Sequence, residues 1–327
     1  MTRDDGAEPA AADTGDSAAG SRLEQFEELR PLLFSIAYRI LGSVSGAEDA
    51  VQETWVRFQA SGVRPDSAKA YLSTIVTRLC LDELRSARVQ REEYVGPWFP
   101  EPLLTDPYED PERSAELADS LSMAALLLLE RLSPLERAVF VLREVFGYGF
   151  ADVAAAVGRS EAACRQAALR ARRHMDDGRR RFDSDRAARD ALADRFFDAL
   201  RDGDVDGLRD LLTADVQLVS DSGGKAPNWG RGMFGDADVA RALVAIHDAF
   251  RRIGGVVERH SMNGEPGAIF RDRDGRVLNT WSLDVQDGGV QAIRTVLNPD
   301  KLGHVGEVAD AWAVVREAME ARRDEAR

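Results

Sequence analysis

Residues 150–175 read FADVAAAVGRSEAACRQAALRARRHM, and this stretch decides the fold of the middle of the chain. A helix from about Phe150 ends at Gly158, a short turn carries Arg159, and Ser160 has the character of an N-cap for a second helix. The second helix carries small residues on one side, which allow close packing against its neighbours: Ala163, Cys164, Ala167, Ala168 and Ala171. This pattern predicts a helix-turn-helix unit.

The other side of the second helix is polar and basic, and we expect it to bind DNA. Its candidate contact residues are Ser160, Arg165, Gln166, Arg170, Arg172 and Arg173. Arg and Gln side chains can read base edges in the major groove, while the later arginines and the run Arg179–Arg181 suit phosphates. The alternative is an ordinary solvated amphipathic helix. Local charge favours DNA, because residues 121–182 carry a net charge of +4 in a chain whose total is -14.

The rest of the first half is helical around a proline-rich break. Residues 1–22 are too polar to form a core and are predicted to be a disordered leader. Three helices are expected within residues 23–95, the first ending at Gly42. Residues 96–113 contain five prolines and are predicted to be a linker. Helices resume over residues 114–182, where Ser133 and Pro134 mark a helix start.

The pattern changes in residues 186–327. Two helical segments come first, followed by alternating apolar runs bounded by turns, at residues 216–219, 267–271, 277–285 and 290–296. Helices followed by an antiparallel meander indicate a separate α+β domain. The chain is therefore expected to be multidomain, with two all-α domains and one α+β domain.

Composition excludes several classes of protein. No apolar run approaches the roughly 20 residues of a membrane span, and the N-terminus has no signal-peptide pattern, so we expect a cytoplasmic protein without a membrane partner. The two cysteines, Cys80 and Cys164, are expected to be reduced and structural. The four histidines are scattered and predict no metal site, and no cofactor is expected.

Three stretches of the first half together resemble a known family. FEELRPLLFSIAYRILGSVSGAEDAVQETWVRF, AYLSTIVTRLCLDELRSAR and LERLSPLERAVFVLREVFGYGFADVAAAVGRSEAACRQAALRARR are similar to regions 2 and 4 of an extracytoplasmic-function sigma factor. The resemblance covers residues 23 to about 181. It implies a region 2 helical bundle, a region 4 helix-turn-helix domain, and two partners, RNA polymerase core and promoter DNA. Transcription initiation at -10 and -35 elements is the implied function.

The same resemblance assigns roles to residues of region 2. An acidic helix would bind polymerase core through Glu48, Asp49, Gln52, Glu53 and Trp55. The following helix would meet the -10 element through Arg78, Asp82, Arg85 and Arg88. An acidic helix cannot approach DNA favourably but can pair with a basic protein surface. Trp55 could be an interface anchor or, equally, a core tryptophan.

The second half resembles a SnoaL-like (NTF2-like) cone domain, and three short motifs are similar to signatures of the SigJ-like subgroup of these sigma factors. The motifs are PWFPEP in the linker, DSGGK at 221–225 and NPDKL at 298–302. The subgroup usually has glycine where this chain has Ser222, which would be strained if the position needs a positive φ. The resemblance implies control of the sigma factor in cis, with an unidentified small-molecule ligand as a further partner. The regulatory candidates are Trp98, Pro100, Glu101, Pro102, Asp221, Gly223, Gly224, Lys225, Asn298, Pro299, Asp300, Lys301 and Leu302.

Two other functions remain open from the residues alone. LVSDSGGKAPNWG, residues 218–230, could belong to an enzyme related to isomerases and cyclases, with Asp221, His247, His260 and Asp284 as candidate acids and bases. No pairing of these residues follows from their spacing, and the phosphate-loop pattern is absent, so we expect no enzyme. A ligand-responsive transcription factor that acts without polymerase core is the other alternative. For NPDKL, a simple turn is the competing interpretation.

Overall fold

The computed structural model describes residues 14–92, 94–178, 186–228 and 232–325. Among these residues, twelve α-helices and six strands form two helical bundles and a sheet domain. The helices are α1 (Thr14–Leu41), α2 (Val44–Ala60), α3 (Ala68–Glu92), α4 (Ser114–Leu121), α5 (Met123–Glu130), α6 (Pro134–Phe140), α7 (Phe150–Val157), α8 (Glu161–Gly178), α9 (Arg186–Asp202), α10 (Val205–Leu211), α11 (Asp236–Arg252) and α12 (Ala311–Glu325). The strands are β1 (Leu212–Asp221), β2 (Met233–Phe234), β3 (Val256–Met262), β4 (Glu265–Arg271), β5 (Val277–Gln286) and β6 (Gly289–Val296).

The first bundle contains α1, α2 and α3. Helix α1 ends before Gly42, as predicted, and Gly42 adopts a positive φ of 69°. Its start differs from the prediction, because the helix already begins at Thr14 within the expected leader. Arg22 explains part of this difference, since its guanidinium donates to the carbonyls of Phe58 and Ser61 and so ties α1 to the end of α2. Composition alone does not reveal such a tertiary anchor.

The second bundle contains α4 to α8 and includes the predicted helix-turn-helix unit. Helix α7 ends at Gly158 in the left-handed conformation, and the hydroxyl of Ser160 accepts a hydrogen bond from the amide of Ala163 at 3.2 Å. Cys164 and Ala171 are fully buried, as the small-residue pattern predicted. Both bundles share one continuous apolar core.

The linker runs between the bundles without helix or strand until a 3-10 turn at Pro111–Arg113. Arg39 of α1 connects this helix to the linker and to α4. This fully buried guanidinium contacts the carboxylate of Asp106 at 2.9 Å and donates to Ser120 and to the carbonyl of Leu117. Burial of a charge is tolerated here because its donors are satisfied.

The sheet domain has the strand order β2-β1-β6-β5-β4-β3. Strands β3 to β6 form the expected antiparallel meander, but β1 joins β6 in parallel, with Leu218 opposite Ile293. The expectation of antiparallel pairing throughout is therefore wrong for β1, because the long connection through α11 lets β1 approach from the other direction. Strand β3 was not predicted, because it is an edge strand with a mostly exposed, polar sequence.

One face of the sheet packs on α9, α10 and α11, and the opposite face packs on the linker and α5. A small apolar cluster fills this second contact: Phe99, Met123, Met262, Ile269, Val277, Val296 and Leu302. At its edge, Asn263 accepts from the amide of Leu103 at 3.1 Å and donates to the hydroxyl of Tyr38 at 2.6 Å. The sheet domain therefore contacts both the linker and α1.

Candidate functional site

The carboxylate of Asp221, at the end of β1, is the point where the three short motifs meet. Asp221 is fully buried. It accepts hydrogen bonds from the amide of Phe99 at 2.8 Å, from the Nζ of Lys301 at 2.7 Å and from the hydroxyl of Tyr94. The amide of Gly223 donates to it as well, at 3.2 Å. Residues from all three motifs therefore take part in a single hydrogen-bonded cluster.

Lys301 completes the cluster from the NPDKL motif. Its ammonium group donates to the carbonyl of Phe99 in addition to Asp221. It also lies 4.1 Å from the ring centroid of Trp98 and 4.9 Å from that of Tyr94. Two aromatic faces and two oxygens together replace the hydration of a buried cation.

Tyr94 supports the cluster and was not predicted. Burial, followed by the hydrogen bond to Asp221, holds the pKa of its phenol well above the ordinary value. The phenol therefore stays protonated and donates to Asp221, while it accepts from the side-chain amide of Asn298 at 2.8 Å. Sequence patterns gave no signal for Tyr94, because it lies between the predicted third helix and the linker motif.

The turn after Asp221 explains the two glycines of DSGGK. Gly223 and Gly224 have φ values of 55° and 73°, and a Cβ on Gly223 would lie 2.6 Å from the side-chain nitrogen of Asn298. Ser222 is not among the described non-glycine residues with positive φ, so the strain considered for it does not arise. Its hydroxyl instead accepts from the amide of Gly224 and from the side chain of Asn228, at 3.3 and 2.6 Å.

The other half of the linker motif contacts α2. The carboxylate of Glu101 accepts from the amides of Val44 and Ser45, at 2.7 and 3.2 Å, and from the hydroxyl of Ser43 at 2.9 Å. A carboxylate at this position satisfies free amides and interacts favourably with the helix dipole. The neighbouring carbonyl of Pro102 lies 2.6 Å from the Nε2 of His304. The linker motif thus joins α2 to the sheet domain.

The NPDKL motif is a turn as well as a contact. Pro299–Lys301 form a 3-10 turn that Asn298 caps, since its side-chain oxygen accepts from the amide of Asp300 at 3.1 Å. Leu302 is fully buried in the apolar cluster below the sheet. Asp300 forms an exposed ion pair with Lys225 of DSGGK. The two interpretations of this motif are therefore compatible.

The candidate core-binding face of α2 is exposed. Glu48, Asp49 and Gln52 are exposed, and Glu53 pairs with Arg57 at 2.7 Å. Trp55 behaves differently, because its ring packs 5.0 Å from that of Phe26 and 6.4 Å from that of Phe58. Of the two alternatives for Trp55, an interface anchor or a core tryptophan, this packing corresponds to the core tryptophan. Sequence reasoning missed Val56, which is 50% exposed beside the acidic residues.

The candidate -10 helix, α3, is tied to α7 of the second bundle. Arg78 donates to the carbonyls of Ala155 and Ala156, at 2.7 and 3.2 Å, close to the C-terminal end of α7. Asp82 and Arg85 form an exposed ion pair at 2.8 Å. The side chain of Arg88 lies outside the described residues.

A second polar contact joins the two bundles near this point. The hydroxyl of Tyr148 lies 2.6 Å from that of Ser73 in a buried position. The ammonium group of Lys69 lies 5.6 Å from the Tyr148 ring centroid. Helix α3 is therefore held against the second bundle along several turns.

Three of the six candidate -35 residues form ion pairs. Arg165 contacts Glu161 at 2.5 Å, Arg170 contacts Glu136 at 2.6 Å, and Arg172 contacts Glu144 at 2.8 Å. Gln166 and Arg173 are exposed. Arg179–Arg181 lie outside the described residues.

The candidate acids and bases of the enzyme interpretation lie in separate surroundings. Asp284 is held by Gln286 and Arg294 at 3.0 and 3.1 Å. His260 is exposed, whereas His247 is buried, and burial lowers its pKa. Neither ring nitrogen of His247 has a hydrogen-bond partner among the described residues. Asp221 is enclosed by donors of the protein itself, which leaves it poorly placed to act as a general base.

Glu265 is a buried acid that the sequence did not single out. It is 3% exposed, and its carboxylate accepts from the amide of Met123 at 3.3 Å. Burial and the nearby Asp284 raise the pKa of Glu265 to about 8.

Across the described part of the chain, no group of three or more His, Cys, Asp or Glu residues could hold a metal ion, and no helix is long and apolar enough to cross a membrane.

Comparison with known proteins agrees with this architecture. Residues 25–89 match the family model for Sigma-70 region 2, and residues 122–175 match that for Sigma-70, region 4. The ECF RNA polymerase sigma factor SigJ of Mycobacterium tuberculosis (strain ATCC 25618 / H37Rv) is 38% identical over 288 residues, which cover 85% of this chain and 92% of SigJ. The ECF RNA polymerase sigma factor SigG of M. tuberculosis is 30% identical, over 91% of this chain and 84% of SigG.

A solved structure extends the similarity to the whole fold. The crystal structure of the M. tuberculosis extracytoplasmic function sigma factor SigJ superposes with a TM-score of 0.68 and 37% identity. The match covers 86% of this chain and 98% of that chain, so it includes both helical bundles and the sheet domain.

Proposed function

The chain belongs to the extracytoplasmic-function RNA polymerase sigma factors, and we propose that its SnoaL-like domain restrains the promoter-reading helices through the Asp221 cluster. As a member of this family it binds RNA polymerase core and directs transcription initiation at promoter DNA. The proposal concerns how the chain controls that activity.

The observation that carries the proposal is the joint contact of Asp221, Lys301 and Phe99. Asp221 ends the first strand of the sheet domain, Lys301 follows its last strand, and Phe99 belongs to the linker. The linker in turn places Glu101 on the first turn of α2, the candidate core-binding helix. A change in the Asp221 cluster can therefore be transmitted along the backbone from Phe99 to Glu101. Glu101 in turn contacts α2, the helix that would bind polymerase.

The contact of Arg78 with α7 also supports the proposal that α3 is restrained. A guanidinium that donates to the carbonyls of Ala155 and Ala156 must leave them before it can contact a -10 element. Separation of α3 from α7 would also expose part of the core that both bundles share. We therefore describe the structure as a closed arrangement that core polymerase has to open.

The roles of individual residues remain part of this proposal. Glu48, Asp49, Gln52 and Glu53 would bind polymerase core, and the exposed Val56 would supply an apolar contact among them. Arg78, Asp82, Arg85 and Arg88 would act at the -10 element, and α8 would act at the -35 element.

A small-molecule ligand fits the proposal in one way only. Such a ligand shifts the equilibrium between the closed and open arrangements by the difference between its affinities for them. A ligand that binds both arrangements equally would leave transcription unchanged.

Run-off transcription with RNA polymerase core tests the proposal. Full-length protein is compared with Asp221→Asn, which keeps the shape of the side chain but removes its charge. We expect faster association with core and more transcript from the variant. A matched control is Lys225→Ala, which affects only the exposed ion pair with Asp300. If Asp221→Asn and Lys225→Ala both behave like the wild type, the Asp221 cluster does not restrain the sigma factor.

A further inference from the structure

The exposed side of α8 contains a hydrophobic residue in the middle of its polar stripe. Ala162, Arg165, Gln166, Leu169 and Arg173 follow helical spacing and are all exposed, whereas Cys164, Ala167, Ala168 and Ala171 are buried on the opposite side. Leu169 is 42% exposed. This leucine offers an apolar contact to a partner that binds this face of α8.

The charged neighbours of Leu169 define the chemistry of that partner. Arg170 and Arg172 lie at the edge of the stripe, where Glu136 and Glu144 hold their guanidinium groups. Arg165 stacks 5.1 Å from the ring centroid of Phe150 while it pairs with Glu161. The surface around Leu169 therefore carries arginine side chains that contacts within the second bundle hold in place. It suits a polyanion that also presents apolar groups.

Double-stranded DNA presents one such group in its major groove, the 5-methyl of thymine. Leu169 follows Gln166 by three residues, a rise of about 4.5 Å along the helix. Successive base pairs are about 3.4 Å apart. A base read by Gln166 and a methyl touched by Leu169 would therefore lie in neighbouring base pairs.

We propose that Leu169 contacts the 5-methyl group of a thymine in the -35 element, next to the base pair that Gln166 reads. This inference rests on the proposed role of α8 as the -35 reader. It assigns a specificity-determining residue that arginine-based readout does not include.

The test uses holoenzyme assembled from the full chain and RNA polymerase core. Preferred -35 duplexes are first selected from a randomised library, and each thymine is then replaced by deoxyuridine, which lacks only the methyl group. We expect one replacement to weaken wild-type binding about fourfold, the factor for loss of one buried methyl. In Leu169→Ala, the same replacement should change binding by less than a factor of 1.5.

A matched control is Leu23→Ala, since Leu23 is also an exposed leucine, 46% exposed, but lies on α1. This variant should keep the wild-type response to deoxyuridine. If selection yields no sequence preference in the -35 region, the role of α8 itself fails. If a preference exists but deoxyuridine has no effect, or the same effect in Leu169→Ala, only the thymine contact is overturned.

Discussion

The ammonium group of Lys301 lies 2.7 Å from the carboxylate of Asp221, with side-chain exposures of 8% and 0%. The two residues are 80 positions apart, since Asp221 ends the first strand, β1, and Lys301 follows the last strand, β6. Both also contact Phe99 of the linker. This buried ion pair therefore fastens the sheet domain to the linker that joins the two helical bundles.

Loss of the Asp221 charge should destabilise the closed arrangement strongly. Asp221→Asn removes the charge of the carboxylate that pairs with the buried Lys301 ammonium group, which costs about 3 kcal/mol. Thermal and denaturant unfolding should both show the loss. Asp221→Asn combined with Lys301→Met should recover part of it, because the buried ammonium group is then absent as well. An equal or greater loss in the double variant would contradict this account.

The exposed pair of Lys225 and Asp300 provides the comparison. Its side chains are 53% and 61% exposed, so water and salt screen the attraction. Lys225→Ala should change the free energy of unfolding by less than about 1 kcal/mol. A large effect would mean that this pair, rather than the buried one, secures the two motifs.

Substitutions in the turn after Asp221 should differ in severity. Gly223→Ala places a Cβ 2.6 Å from the Asn298 side chain at a positive φ, so a lower Tm is expected. Ser222→Gly removes only the hydroxyl contacts to Gly224 and Asn228 and should cost about 1 kcal/mol. Thermal unfolding of the two variants checks the order, and the opposite order would disprove it.

Glu265 should make stability depend on pH. Its pKa is raised from 4.5 to about 8 in the folded protein, so the folded state binds the extra proton between these values. The free energy of unfolding should therefore fall as pH rises from about 4.5 to 8. Glu265→Gln removes this contribution, and its Tm should exceed that of the wild type at pH 8 but not at pH 4.5. A constant difference at all pH values would refute the assignment.

The contact between Tyr148 and Ser73 should help to hold the two bundles together. Tyr148→Phe leaves Ser73 without this partner and should cost about 1 kcal/mol. Hydrogen exchange is expected to become faster in α3 and α7, where the bundles meet. Tyr108→Phe serves as the control, because its hydroxyl contacts only the nearby Asp110, at 3.4 Å. Equal effects of the two variants would show that the contact is not specific.

Sequence could predict the local elements but not how they meet. The turn between α7 and α8 followed from Gly158 and Ser160, because caps are local signals. Resemblance identified the three motifs, yet Tyr94 has no pattern of its own and became visible only through its contact with Asp221. The tie between Arg78 and α7 was equally inaccessible, since Ala155 and Ala156 contribute backbone carbonyls, which every residue has.

The topology of the sheet and the burial of particular residues could not be predicted for the same reason. Parallel pairing of β1 with β6 depends on a long connection whose path no local pattern specifies. Burial and the nearby Asp284 raise the pKa of Glu265, and this burial depends on tertiary packing that the sequence around Glu265 does not reveal. Met123, which contacts Glu265, lies 142 residues earlier in the chain. Trp55 was ambiguous because an aromatic residue on an amphipathic helix suits a core and an interface equally well.

The apolar core that the two helical bundles share has a thermodynamic consequence. Opening would transfer part of that surface to water and so carry a positive heat capacity change. Attraction between apolar surfaces weakens on cooling, which makes the closed arrangement less favoured in the cold. The same sigma factor would then release α3 from α7 more readily as temperature falls, without any change in ligand or partner concentration.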